Sequence, residues 1–81
     1  MKDVGGLARM NGISRVLNEG GFVRFIHKHG RAILVAADGE SFQTIDGRTY
    51  DSFLRTRAAK LTRTEFGSIA GSDLIFEWRR Q

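Results

Sequence analysis

Between residues 20 and 47 the chain is cut at short intervals by glycine: Gly20-Gly21, Gly30, Asp38-Gly39 and Asp46-Gly47. The pieces left between these points are too short for helices of ordinary length and suit strands of about five to six residues. Phe22 to His29 reads as the first strand, Ala32 to Ala37 as its partner across His29-Gly30-Arg31, and Ser41 to Ile45 as a third. Each turn holds a glycine that can take positive φ, so the three strands form an antiparallel meander. The middle piece is apolar on both faces and belongs at the centre, whereas Arg24 and Lys28 alternate with Phe22 and Ile26 in the first.

Helical spacing brackets this meander. Leu7, Met10, Ile13, Val16 and Leu17 recur at three and four residues. Gly12 weakens that helix by about 1 kcal/mol relative to Ala, Asn11 offers a later start, and Gly20-Gly21 ends it. A second helix is capped by Thr49 and places Tyr50, Phe53, Leu54, Ala58 and Leu61 on one face, with Arg57 intruding on it. Beyond Lys60 the period becomes two. Leu61 to Phe66 and Leu74 to Arg79 read as a closing hairpin around a loop from Gly67 to Ser72. Leu74, Phe76 and Trp78 make its apolar stripe, while Met1 to Gly6 fix no period and read as loose. The expected fold is α+β, an antiparallel sheet of about five strands with two helices in the order α-β-β-β-α-β-β.

A length of 81 residues suits one domain over 1–81. The absence of cysteine excludes a disulfide framework and thiolate zinc, which favours a cytoplasmic setting. The longest apolar run, Ala32 to Ala37, is far below the roughly 20 residues of a membrane span, so no membrane partner is expected. Thirteen Lys and Arg against nine Asp and Glu leave a net charge of +4, which excludes an acidic DNA mimic and favours polyanionic or acidic partners. The cations fall into two groups, Arg24, Lys28 and Arg31 on the first hairpin and Arg48, Arg55 and Lys60 around the second helix. These six residues are the candidate binding set.

Other chemistry is thinly represented. His27 and His29, two apart on a strand, would face the same way, but no third ligand converges on them, so neither metal nor cofactor is expected. Thr49, Tyr50, Ser52 and Asp51 supply hydroxyls and a carboxylate without an adjacent base. No glycine spacing makes a phosphate cradle. The helix, meander, helix order, with its glycine-aromatic entry at Gly21-Phe22, resembles the small fold of bacterial toxin ribonucleases of the HicA type over residues 13 to 61. In that family a histidine follows a glycine-serine pair near the second strand. Here the order is His29-Gly30-Arg31, so His27 and His29 are the only candidates the resemblance implies and its catalytic motif is not reproduced. The chain reads as a non-enzyme, a small basic cytoplasmic nucleic-acid-binding or regulatory module. The alternatives are a protein-interaction module or inhibitor of phage or plasmid type, possible as a homo-oligomer, and third a toxin-like ribonuclease.

Overall fold

A computed structural model describes residues 1–56, 62–67 and 74–80. Its elements in chain order are β1 (Lys2–Leu7), α1 (Met10–Asn18), β2 (Phe22–Ile26), a 3-10 turn (His27–His29), β3 (Arg31–Val35), β4 (Ser41–Ile45), α2 (Gly47–Arg55), β5 (Thr62–Gly67) and β6 (Leu74–Arg79). The strands form one six-stranded sheet in the order β1-β4-β3-β2-β6-β5. The fold is α+β with two helices, and the meander β2-β3-β4 and the strands β5 and β6 pair antiparallel.

The sheet is mixed rather than purely antiparallel, because residues 2–7 form an additional strand that pairs parallel with β4. The segment read as loose is therefore ordered by its neighbour and not by any period of its own. Its register is interrupted. Lys2 and Asp3 face Ser41 and Phe42, then Leu7 faces Thr44, so Val4, Gly5 and Gly6 bulge outward. Gly5 and Gly6 take φ of +81° and +70°, which a side chain would resist, and the Gln43 amide donates to the Gly5 carbonyl at 3.0 Å. Helix α1 consequently starts at Met10, and Leu7 lies on the strand, 56% exposed.

Both helices cover one sheet face. Ile13 and Leu17 of α1 and Phe53 of α2 pack with Val23, Ala32, Leu34 and Ile45, and Tyr50 and Trp78 close the margin. The other face carries a smaller cluster of Phe22, Ile33 and Val35 with Phe42 against it. Strand β3 is buried on both faces, with Ala32 and Leu34 in the cluster beneath the helices and Ile33 and Val35 in the smaller one. At the end of α1 the Gly21 amide donates to the Val16 carbonyl at 2.8 Å and that of Gly20 to Leu17 at 3.2 Å, a Schellman closure with Gly20 at φ +100°. The chain then turns so tightly that a Cβ on Gly21 would lie 2.3 Å from Val16 and 2.4 Å from the Val35 carbonyl.

Helix α2 differs in three details from its sequence reading. Asp46, not Thr49, is the cap, and its carboxylate accepts from the Thr49 amide at 2.7 Å. The helix ends at Arg55. Of its expected contact face, Phe53 is fully buried and Tyr50 partly so, but Leu54 is 38% exposed, because a helix this short meets the sheet along one narrow stripe. Arg57, Ala58, Lys60 and Leu61, like most of the 67–72 loop, lie outside the described residues.

Candidate functional site

Strand β3 is five residues long and its two turns carry opposite charge. The turn that follows it contains Asp38 and Glu40, and the C-terminus of α1 with Glu19 adjoins this turn through Gly20 and Ala37. The Asp38 carboxylate accepts from the amides of Ser41 and Glu40 and from the Ser41 hydroxyl, which together hold its pKa below the usual 3.8. The turn that precedes β3 is His27-Lys28-His29-Gly30-Arg31, with both histidines and Arg31 exposed. Because β4 and β3 are antiparallel and Ala32 faces Ile45, the start of α2 with Arg48 lies at this same end. Arg9 joins them. Its neighbour Ala8 donates to the Thr44 carbonyl at 2.8 Å, which fixes the start of α1 beside the end of β4.

The six cations expected to bind do not share one surface. Arg31 and Arg48 belong to this sheet end, as does the backbone of Lys28, whereas Arg55 is exposed at the opposite end of α2, about 10 Å along its axis, and Lys60 is outside the described residues. Arg24 is not an available cation at all. Its guanidinium donates through Nε and Nη2 to Glu77 Oε2 at 2.9 and 2.6 Å, and Glu77, 3% exposed, also accepts from Arg79 at 3.1 Å. Register brings the pair together: Arg24 stands opposite Glu77, 53 residues away along the chain, and no local spacing announces it. Arg24 and Arg79 also lie over the Phe22 ring, at 5.3 and 4.0 Å from its centroid, so that ring is already held by cations of its own chain.

His27 and His29 occupy a 3-10 turn rather than a strand, so their side chains diverge by about 120° around the turn axis. The argument for a shared ligand direction fails with the strand. Among the described residues no three metal-ligating side chains gather. Gly30 closes the turn in the left-handed conformation at φ +57°.

Beside these cations a cavity of about 320 Å³ opens between the 3-10 turn and α2. Buried Ala32 and Ile45 form its floor, Phe25 and Tyr50 its aromatic wall, and Gly30, Gly47 and Asp51 its rim. The two wall rings stack with centroids 4.9 Å apart and planes within 4°. Tyr50 is fixed further by Trp78 Nε1, which donates to its hydroxyl at 3.3 Å, while burial raises the phenol pKa above 10.0. Arg31 turns away to the other sheet face, donating to Thr44 Oγ1 at 3.2 Å and lying 5.8 Å from the Phe42 centroid. The cavity is not legible in the sequence because its wall joins Phe25 to Tyr50 across the sheet. Its only local trace is that Gly30 and Gly47 are each followed by arginine.

No family model, curated protein or solved structure matches the chain.

Proposed function

We propose that this chain is a small polyanion-binding module whose ligand is nucleic acid, contacted at the sheet end formed by the His27–Gly30 turn, Arg31, Arg9 and the first turn of α2. The observation that carries the reading is the grouping of Arg9, Arg31 and Arg48 with two exposed histidines at one end of the sheet, apart from the acidic turn at the other. Asp46 and Asp51 also lie here, but Asp46 is engaged in capping α2. Cations and amide donors need only follow a phosphate backbone loosely to bind it, and each neutralised phosphate releases counterions.

The deciding experiment is a fluorescence anisotropy titration of labelled DNA and RNA at about 50 and 200 mM salt. Saturable binding whose logarithm falls linearly with the logarithm of salt supports the reading. Absence of binding at the lower salt overturns it.

One observation favours a second reading, a protein-interaction module. Edge strand β1 leaves Val4 and Leu7 58% and 56% exposed and offers a partner strand an unpaired margin. The Val4–Gly6 bulge shortens that margin, which places this reading second. Light scattering across a wide concentration range tests it for a second copy of the chain, and a mass fixed at that of the monomer removes self-association.

A further inference from the structure

We infer that the cavity beside the stacked Phe25 and Tyr50 rings receives a single unpaired nucleobase, so that the nucleic acid bound is single-stranded. This rests on the polyanion reading above and names the form of ligand within it. A volume of about 320 Å³ lies in the range of small-ligand sites, roughly 300 to 1,000 Å³. Bases in a duplex are closed in by their own stack, so a ring that enters such a cavity belongs to an unpaired base. The apolar floor of Ala32 and Ile45 and the edges of the Phe25 and Tyr50 rings, whose faces are turned to one another, give such a ring an apolar surface to exchange for water. The two glycines of the rim keep the entrance low, since a Cβ on either Gly30 or Gly47 would meet nothing within 4 Å.

The rim also carries a preference. Asp51 is exposed, lines the cavity and is a pure acceptor when ionised. A carboxylate among cations would repel a phosphate but accepts hydrogen bonds from an exocyclic amine, as acidic side chains do from cytosine N4. Bases bearing an amino group are therefore favoured over thymine and uracil. The opposite sheet face is the weaker place for stacking, because Arg24, Arg79 and Arg31 already lie over Phe22 and Phe42.

The test compares short single strands of DNA and RNA with duplexes of equal phosphate count, and homopolymers of cytosine with those of thymine or uracil. The proteins are the unaltered chain, Gly47→Phe and Asp51→Asn. Gly47 has an ordinary φ and open space at its Cβ, so phenylalanine fills the entrance without backbone strain, and a thermal melt verifies the fold. The expected result is single-strand affinity at least about tenfold above duplex affinity. Gly47→Phe lowers single-strand affinity by a larger factor than duplex affinity and so narrows that margin, while Asp51→Asn narrows the gap between cytosine and thymine or uracil. Equal affinity for single strands and duplexes, or a Gly47→Phe protein that binds single strands as the unaltered chain does, overturns the cavity assignment alone. Failure of the unaltered chain to bind either single strands or duplexes at low salt overturns the polyanion reading beneath it, so measurable binding of either form tells the two failures apart. A DNA or RNA preference in the single-strand arm identifies the source of the base.

Discussion

Gly21 and Gly12 are the same residue type, yet the same substitution has opposite signs at the two positions. A Cβ at Gly21 would overlap the Val16 side chain and, at 2.4 Å, the Val35 carbonyl, and backbone of a central strand cannot withdraw. Gly21→Ala is expected to destabilise the fold by about 1 to 3 kcal/mol or more, the cost of overpacking. At Gly12, within α1, a Cβ meets nothing within 4 Å, so alanine gains helix propensity and Gly12→Ala is expected to stabilise by about 0.5 to 1 kcal/mol. Urea denaturation of the two variants checks both signs. Arg24 makes a similar point about charge. Read locally it is one more surface cation, but its carboxylate partner is almost fully buried, and Arg24→Ala leaves Glu77 with Arg79 as its ion-pair partner among the described residues. Because the Arg24 side chain is 28% exposed and one arginine remains, the expected loss is about 1 to 3 kcal/mol, below the range for isolating a buried charge. Arg48→Ala, at an exposed helix start, is expected to cost no more than about 1 kcal/mol in the same assay.

Among the elements, those with an internal period are legible in the sequence and those defined by pairing are not. The meander announces itself through glycine turns, and the closing hairpin through the alternation of Leu74 to Arg79. Strand β1 has neither signal, since Val4-Gly5-Gly6 breaks any alternation and only β4 gives the segment its direction. The start of α2 is displaced because Asp46-Gly47 satisfies two rules at once, a turn and a cap, and the cap prevails where a helix follows. The candidate cavity depends on that displacement, for it brings Gly47 to the first turn of α2 beside Tyr50. Phe53 is fully buried beneath α2, so Phe53→Ala is expected to cost about 3 to 5 kcal/mol, and a loss under about 1 kcal/mol would mean that α2 does not hold the core. The cap responds to acid. Hydrogen bonds from the Thr49 hydroxyl and amide hold the Asp46 pKa below 3.8, so the unfolded chain binds the proton more readily. Its stabilisation is complete above the unfolded value and is lost as pH falls through the lower folded one. Asp46→Asn keeps a capping side chain without the titration, so its Tm is expected to fall less steeply than that of the unaltered chain below about pH 4. Parallel slopes would remove Asp46 from the acid response.

For the whole molecule the question is whether a net charge of +4 acts as a diffuse cloud or from one end. Strand β3 separates the His27–Arg31 turn from the Asp38–Glu40 turn by roughly 17 Å, five residues at about 3.3 Å each. That span is about twice the Debye length near 0.15 M salt and about half of it near 0.01 M. The acidic turn therefore opposes a polyanion at the far end only in dilute salt. Neutralising it through Glu40→Gln with Glu19→Gln, both exposed, is expected to raise nucleic-acid affinity near 0.01 M salt and to leave it unchanged near 0.15 M. Asp38 is the wrong residue for this purpose, because it accepts three hydrogen bonds that shape the turn. Neutralising Arg31 and Arg48 at the other end is expected to weaken binding at both salt levels. Each phosphate left without its arginine lowers the logarithmic salt slope by about 0.7 on a single strand and about 0.9 on a duplex. Anisotropy titrations of these variants separate the two cases. An acidic-end variant that gains as much at 0.15 M as at 0.01 M places the ligand near that turn, and arginine variants with an unchanged slope take the phosphates away from the end of the sheet where α2 begins.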